Sequence, residues 1–222
     1  MIFFDIDDTL LDYKGSQDTA AKAFSKKYAT HISAPDQFVD VFNRVTDHHM
    51  ARYLSGEISF QEQRRWRIRD SLGLVLSDQE ADDIFADYYQ VYEDSWQLFP
   101  DVLDVLEKLR GKQLAVITNG DKDNQTYKLD RLGLLPFFSE VITPACAGAA
   151  KPDSAIFQLA ARVAGKRPEE CWYIGDNHAL DYHGALASGF KSVWLNRKSR
   201  PERCDHQCKD LYGFLDILQL SS

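Results

Sequence analysis

Asp5, Asp7 and Thr9 stand at alternate positions directly after the apolar run Met1-Ile2-Phe3-Phe4. In an extended chain, residues two apart project to the same side, so Asp5 and Asp7 can face one pocket while Ile6 turns into the core. Two carboxylates that close repel each other. A cation or a shared proton neutralises such a pair at the end of a parallel strand, and either remedy serves phosphoryl transfer. Further reactive side chains follow other apolar runs: Thr118 after Leu114-Ala115-Val116-Ile117, Lys151 ahead of Pro152-Asp153, and Asp176 after Trp172-Tyr173-Ile174-Gly175, with Asp181 five residues on. Alone, a threonine at a strand end reads as a turn residue and a lysine before proline as a solvated one.

The elements that would position these residues alternate from Phe99 onward. The pattern predicts helix 102–109, strand 113–118, helix 123–132, strand 141–142, helix 153–164, strand 171–174, helix 179–188, strand 192–195 and a closing helix near 211–218. Such alternation specifies an α/β fold, a doubly wound parallel sheet of Rossmann-like type with helices on both faces. Ligands in that architecture bind beyond the carboxyl ends of the strands, the rim to which Asp5, Thr118, Lys151 and Asp176 are carried.

Residues 14–96 read as helices only. Ser33-Ala34-Pro35-Asp36, Ser59-Phe60-Gln61-Glu62 and Ser77-Asp78-Gln79-Glu80 each place a serine three residues before an acid, the reciprocal capping pattern that opens a helix. An earlier helix is expected around 18–28, with Ala20, Ala21, Ala23, Phe24 and Tyr28 on its apolar side. The expected organisation is a catalytic core from 1–13 and 97–222, with an all-helical cap domain inserted at 14–96.

Asp5-Ile6-Asp7-Asp8-Thr9 resembles the first motif of the haloacid dehalogenase superfamily of aspartate-nucleophile phosphohydrolases. The three later motifs follow in order: Ile117-Thr118-Asn119-Gly120, then Ala150-Lys151-Pro152-Asp153, then Gly175-Asp176 with Asp181. The resemblance implies Asp5 as nucleophile, forming an aspartyl-phosphate, and Asp7 as the group that protonates the leaving oxygen and then takes a proton from water. It implies Mg²⁺ held by the carboxylates of Asp5 and Asp176 and the backbone carbonyl of Asp7, with Asp181 orienting that shell. Thr118 and the backbone N–H of Asn119 would bind phosphoryl oxygens, and Lys151 would neutralise nucleophile and phosphate. Asp8 is expected to be a solvated turn residue, and Thr9 to fix the turn by a local hydrogen bond. The helical insertion resembles the cap of members that carry one after the first motif, closing over the substrate.

Composition bounds the alternatives. A net charge of −8 argues against a nucleic-acid groove, which calls for a basic stripe. No apolar run approaches the roughly 18 residues of a membrane span, and no signal peptide is expected ahead of the first strand. Cys146, Cys171, Cys204 and Cys208 are too scattered for a disulfide framework, which points to a reducing cytoplasm. Cys204-Asp205-His206-Gln207-Cys208 offers only three soft ligands with no partner pair, which disfavours zinc.

Within the resembled superfamily, the aspartate at position 7 separates a phosphatase from the dehalogenases, which attack carbon and lack it. A phosphonate hydrolase would need a cap lysine, and none lies between Tyr28 and Trp96. The expected substrate is a small phosphate monoester: a nucleotide, a sugar phosphate or a compound like phosphoglycolate. The competing readings are a phosphotransferase or phosphomutase of the same fold and a non-catalytic regulatory module. In the cap, Arg64 falls inside the apolar arc of Phe60, Ile68 and Leu72 and is a candidate for substrate contact. Arg65, Arg67 and Arg69 read as a solvated face, His49 as a satisfied core histidine, and Tyr88, Tyr89, Tyr92 and Trp96 as bundle packing.

Overall fold

The structure, a computed structural model, describes residues 1–220 except Ser33 and Arg203. In chain order the elements are β1 (Ile2–Phe4), α1 (Tyr13–Lys27), α2 (Phe38–Leu54), α3 (Phe60–Leu72), α4 (Asp78–Asp94), α5 (Val102–Lys108), β2 (Leu114–Ile117), α6 (Lys122–Arg131), β3 (Val141–Ile142), α7 (Pro144–Ala147), α8 (Ser154–Val163), β4 (Trp172–Gly175), α9 (Gly184–Ala187), β5 (Lys191–Leu195), β6 (Gln207–Cys208) and α10 (Leu211–Leu220). They form two compact units, Met1–Asp12 with Leu98–Ser222 and Tyr13–Gln97.

The first unit is built on one parallel sheet of order β3-β2-β1-β4-β5-β6. Its strands are short and apolar because both faces are covered. Phe3 points to one face, where it packs with Ile117, Phe157, Tyr173 and Phe190. Phe4 points to the other, 5.9 Å edge-on from Phe214 of α10. β1 pairs Ile2, Phe3 and Phe4 with Leu114, Ala115 and Val116 on one side and with Trp172, Tyr173 and Ile174 on the other. β1 is therefore central: the chain runs from it to β2 and β3 on one side and then returns to β4, β5 and β6 on the other, and this reversal of strand order opens a crevice at its carboxyl end.

Three elements of this unit depart from the expected pattern, the first being α7, a single helical turn between β3 and α8. The helix expected over 179–188 begins as a π-helical stretch, His178–His183, and only then becomes α9. Asn177 caps that start, accepting from the N–H groups of Ala179 and Leu180, while Asp181 accepts from the Asn177 N–H. The sheet also gains the edge strand β6, two residues pairing with Trp194 and Leu195, too short to leave a periodic signal.

The second unit is a helical bundle around Phe24, Phe38, Phe42, Ile68, Phe85, Tyr88 and Tyr92. Two of the expected capping boxes form: Ser59 and Ser77 each accept from the backbone N–H three residues on, and Glu62 and Glu80 accept from the serine N–H groups. The third falls on Ser33, outside the described residues, and α2 starts after a 3₁₀ turn over Pro35–Gln37. The first helix begins at Tyr13, a turn and a half earlier than its apolar side predicts.

His49 is buried. Its Nδ1 lies 3.2 Å from Arg52 Nη1 and its Nε2 2.8 Å from Asp70 Oδ2, so the arginine fixes Nδ1 as acceptor and Nε2–H as donor. Burial pulls its pKa below the ordinary imidazole value, against the pull of Asp70. Arg65 and Arg69 pair with Asp78 and Asp82 across to α4. Arg67 corrects the expectation of a solvated arginine: it is 6% exposed, with its guanidinium between the rings of Phe42, Phe85 and Tyr88. Aromatic faces at helical spacing on α2 and α4 offset its desolvation, a context that charge patterning on α3 alone does not reveal.

Candidate active site

Asp5 leaves β1 while still in register, its N–H donating to Ile174 O of β4 at 2.9 Å. That places its carboxylate at the crevice, 6% exposed. Lys151 Nζ donates to Asp5 Oδ1 at 2.7 Å, and Thr9 Oγ1 donates to Asp5 Oδ2 at 3.1 Å. Thr9 does more than fix its own turn, because the same hydroxyl accepts from the Asp176 N–H at 3.1 Å and joins the ends of β1 and β4. The turn closes with Asp8 in the left-handed region at φ 59, its N–H donating to Leu11 O. Arg197 anchors the loop, donating to Thr9 O at 2.9 Å and through both terminal nitrogens to the buried Asp101 at 3.0 Å. Asp8 is only partly solvated, its side chain 19% exposed with Lys198 Nζ 3.4 Å away.

Lys151 is buried and fully engaged. Besides Asp5, its ammonium donates to Asp181 Oδ1 at 2.7 Å and the Tyr173 hydroxyl at 2.9 Å, with Ile117 O 3.3 Å away. Burial opposes its charge, but the carboxylates of Asp181 and Asp5 hold its pKa above the ordinary lysine value. Asn119 sets the backbone of this residue: its side-chain amide donates to Lys151 O at 3.0 Å and accepts from Lys151 N–H at 2.7 Å. The expectation for Asn119 concerned its backbone N–H; the use of its side chain to lock a loop 32 residues away has no local sequence signal.

Asp181 comes from the π-helical stretch, where it accepts from Lys151 and Tyr173 on one oxygen and from Asn177 N–H on the other. Its approach to β4 requires a glycine, since a Cβ on Gly175 would lie 2.4 Å from the Asp181 carboxyl. One carboxylate oxygen each of Asp5, Asp176 and Asp181 lies within 4.8 Å of the others. Burial first, then repulsion from Asp5, Asp181 and Asp8, pushes Asp176 up to about 8. Burial also raises Asp5, to about 7, with Lys151 pulling down and Asp181 and Asp7 pushing up. Three crowded carboxylates facing one ammonium leave an excess of negative charge, and their hard oxygen donors fit a divalent cation such as Mg²⁺.

Asp7 is held apart from that cluster. Its Oδ1 accepts from Lys128 Nζ at 2.6 Å and its Oδ2 from Gln125 Nε2 at 2.7 Å. Thr118, buried at the end of β2, accepts from the Gly120 N–H at 3.1 Å and from the same Gln125 amide at 3.0 Å. Lys128 and Tyr173 carry no local signal for their roles: Lys128 lies on a helix rich in charged residues and meets Asp7 121 residues away, and Tyr173 lies on an apolar strand and meets Lys151 22 residues away. Arg64 belongs to the helical unit, where its guanidinium lies over the rings of Phe60, Phe85 and Tyr89, 4.4 to 5.2 Å from their centroids. Among the described residues the acidic triad is the one convergence of metal-ligand side chains, and Cys204, His206 and Cys208 do not join such a group.

Known proteins carry the same arrangement of chain. Glyceraldehyde 3-phosphate phosphatase of Methanothermobacter thermautotrophicus is 31% identical over 228 residues, 99% of this chain and 96% of that protein. Phosphoserine phosphatase of Thermus thermophilus is 38% identical over 109 residues, a match spanning 48% of this chain and only 44% of that protein. The fold superimposes with a TM-score of 0.82 on the putative HAD-hydrolase YfnB of Bacillus subtilis, solved bound to magnesium, at 22% identity and covering 98% of this chain and 97% of the other. The family model of haloacid dehalogenase-like hydrolases matches residues 1–189, and with the full-length likeness to a phosphatase this decides the lineage: the chain belongs to the haloacid dehalogenase-like hydrolases.

Proposed function

We propose that the protein is a Mg²⁺-dependent phosphatase that hydrolyses a small-molecule phosphate monoester through an aspartyl-phosphate on Asp5. The observation that carries this reading is the separation of two carboxylates only two residues apart: Asp5 bound to Lys151 and Thr9, Asp7 bound to Lys128 and Gln125. One can act as nucleophile while the other moves protons.

In this account an oxygen of Asp5 attacks phosphorus. The bond from phosphorus to the ester oxygen breaks, and that oxygen leaves with a proton from Asp7. Water then attacks the aspartyl-phosphate, giving a proton to Asp7 as the bond between phosphorus and Asp5 breaks. Lys151 stays charged beside the nucleophile and the incoming phosphoryl group. The Thr118 hydroxyl and the Asn119 backbone N–H hold phosphoryl oxygens, and Asp181 keeps Lys151 in place. Mg²⁺ would be held by the carboxylates of Asp5 and Asp176 and the Asp7 backbone carbonyl, and when bound it neutralises charge on the phosphoryl oxygens. The helical unit takes the part of a cap that excludes water, with Arg64 contributing substrate contact from it.

The substrate is a nucleotide, a sugar phosphate or a short phosphorylated metabolite, the last supported by relatives named for glyceraldehyde 3-phosphate and phosphoserine. Phosphate release from a panel of these compounds, with Mg²⁺ and with EDTA, tests the proposal. The expected result is release from a subset of the panel that EDTA abolishes and added Mg²⁺ restores. Equal release in EDTA would refute the metal dependence, and transfer to added alcohol acceptors without phosphate release would replace the phosphatase with a phosphotransferase.

A further inference from the structure

The proton-transfer carboxylate is gripped from outside the four motifs. Gln125 and Lys128 stand three residues apart on α6 and so share one face of that helix. Lys128 is 2% exposed, and its ammonium lies 2.6 Å from Asp7 Oδ1. Gln125 is 1% exposed, and its amide lies 2.7 Å from Asp7 Oδ2 and 3.0 Å from Thr118 Oγ1. The neighbouring backbone is shaped for that amide, because a Cβ on Gly120 would fall 2.3 Å from Gln125 Nε2.

We propose that Gln125 and Lys128 are positioning residues for proton transfer, a two-point clamp that holds the Asp7 carboxylate in one rotamer and ties it to Thr118. This rests on the reading of Asp7 as proton donor. Each carboxylate oxygen has its own donor, so rotation about either side-chain torsion breaks a hydrogen bond to a buried group, one of them charge-assisted. A carboxyl group so fixed meets the leaving oxygen in a single direction. The step starts from protonated Asp7, whose proton passes to the ester oxygen as that oxygen takes up the electron pair of the breaking bond to phosphorus, leaving Asp7 as the carboxylate to which Lys128 and Gln125 donate. An alkyl leaving group needs that proton, whereas p-nitrophenolate departs without it.

The test is kcat/KM for an alkyl phosphate and for p-nitrophenyl phosphate, because this ratio covers the steps through formation of the aspartyl-phosphate. Lys128→Met removes one arm of the clamp while keeping the unbranched apolar stem of the side chain. Its expected effect is a fall of about 100-fold for the alkyl ester, the scale of a misplaced catalytic group, and a fall at least about tenfold smaller for the aryl ester. Loss of folding would lower both esters together, and thermal unfolding of each variant separates that case; should Lys128→Met fail to fold, Gln125→Met carries the same comparison. Asp7→Asn is run alongside. A leaving-group split in Asp7→Asn but not in the folded clamp variant overturns the clamp alone. The absence of a split in Asp7→Asn overturns the role of Asp7 itself.

Discussion

Asp5→Asn is expected to lower kcat for phosphate release by about 10⁴-fold or more, the scale seen when an enzyme loses its nucleophile. The fold should survive. The amide keeps one oxygen to accept from Lys151, and its nitrogen can donate to the Thr9 hydroxyl that the carboxylate now accepts from. The substitution also removes one negative charge from a set of three crowded carboxylates that face a single ammonium. Metal-free Asp5→Asn should therefore unfold at a temperature no lower than that of the wild type. Steady-state release and thermal melts in EDTA check the two halves together, and a variant that stays active or that melts earlier would contradict the assignment.

Lys151→Met has the second largest expected effect, and here activity and stability fall together. The ammonium bridges Asp5 and Asp181, each at 2.7 Å, and also donates to Tyr173. Removing one partner from a buried ionic cluster leaves uncompensated charge, which costs about 3 to 5 kcal/mol, whereas the methionine restores only the apolar stem. Loss of charge beside the nucleophile should lower kcat/KM by about 10² to 10³. The two effects separate on addition of Mg²⁺: a cation at the carboxylates offsets part of the stability loss without returning the ammonium to the phosphoryl group. Denaturant titration with and without Mg²⁺, beside kinetics in saturating Mg²⁺, measures both.

Much of this site is legible in the sequence because its reactive residues follow apolar strands, and a parallel sheet brings strand ends to one edge. Asp5, Thr118 and Asp176 stand directly after β1, β2 and β4. The alternation of the core and the serine caps of α3 and α4 are likewise local signals, readable from spacing. What spacing does not show is the set of partners. Lys128 sits in a helix rich in charged residues and looks like surface until the fold brings it to Asp7, 121 residues away. Tyr173 alternates as a core residue of β4, yet its hydroxyl meets Lys151 and Asp181. Arg67 reads as solvated because the rings that receive it belong to other helices. The π-helical stretch is invisible for a related reason: it is held by Asn177 and Asp181 acting across the turn, which a helical periodicity does not encode.

In the proposed mechanism Asp5 is covalently phosphorylated during turnover. Wild-type enzyme mixed with substrate and Mg²⁺, quenched in acid within the first turnover and digested, allows the peptide that contains Asp5 to be weighed and fragmented. The expected result is a phosphoryl group on Asp5 that is absent from the unmixed enzyme and disappears as substrate is exhausted. A full burst of product with Asp5 unmodified, or a phosphoryl group on another residue, would contradict it.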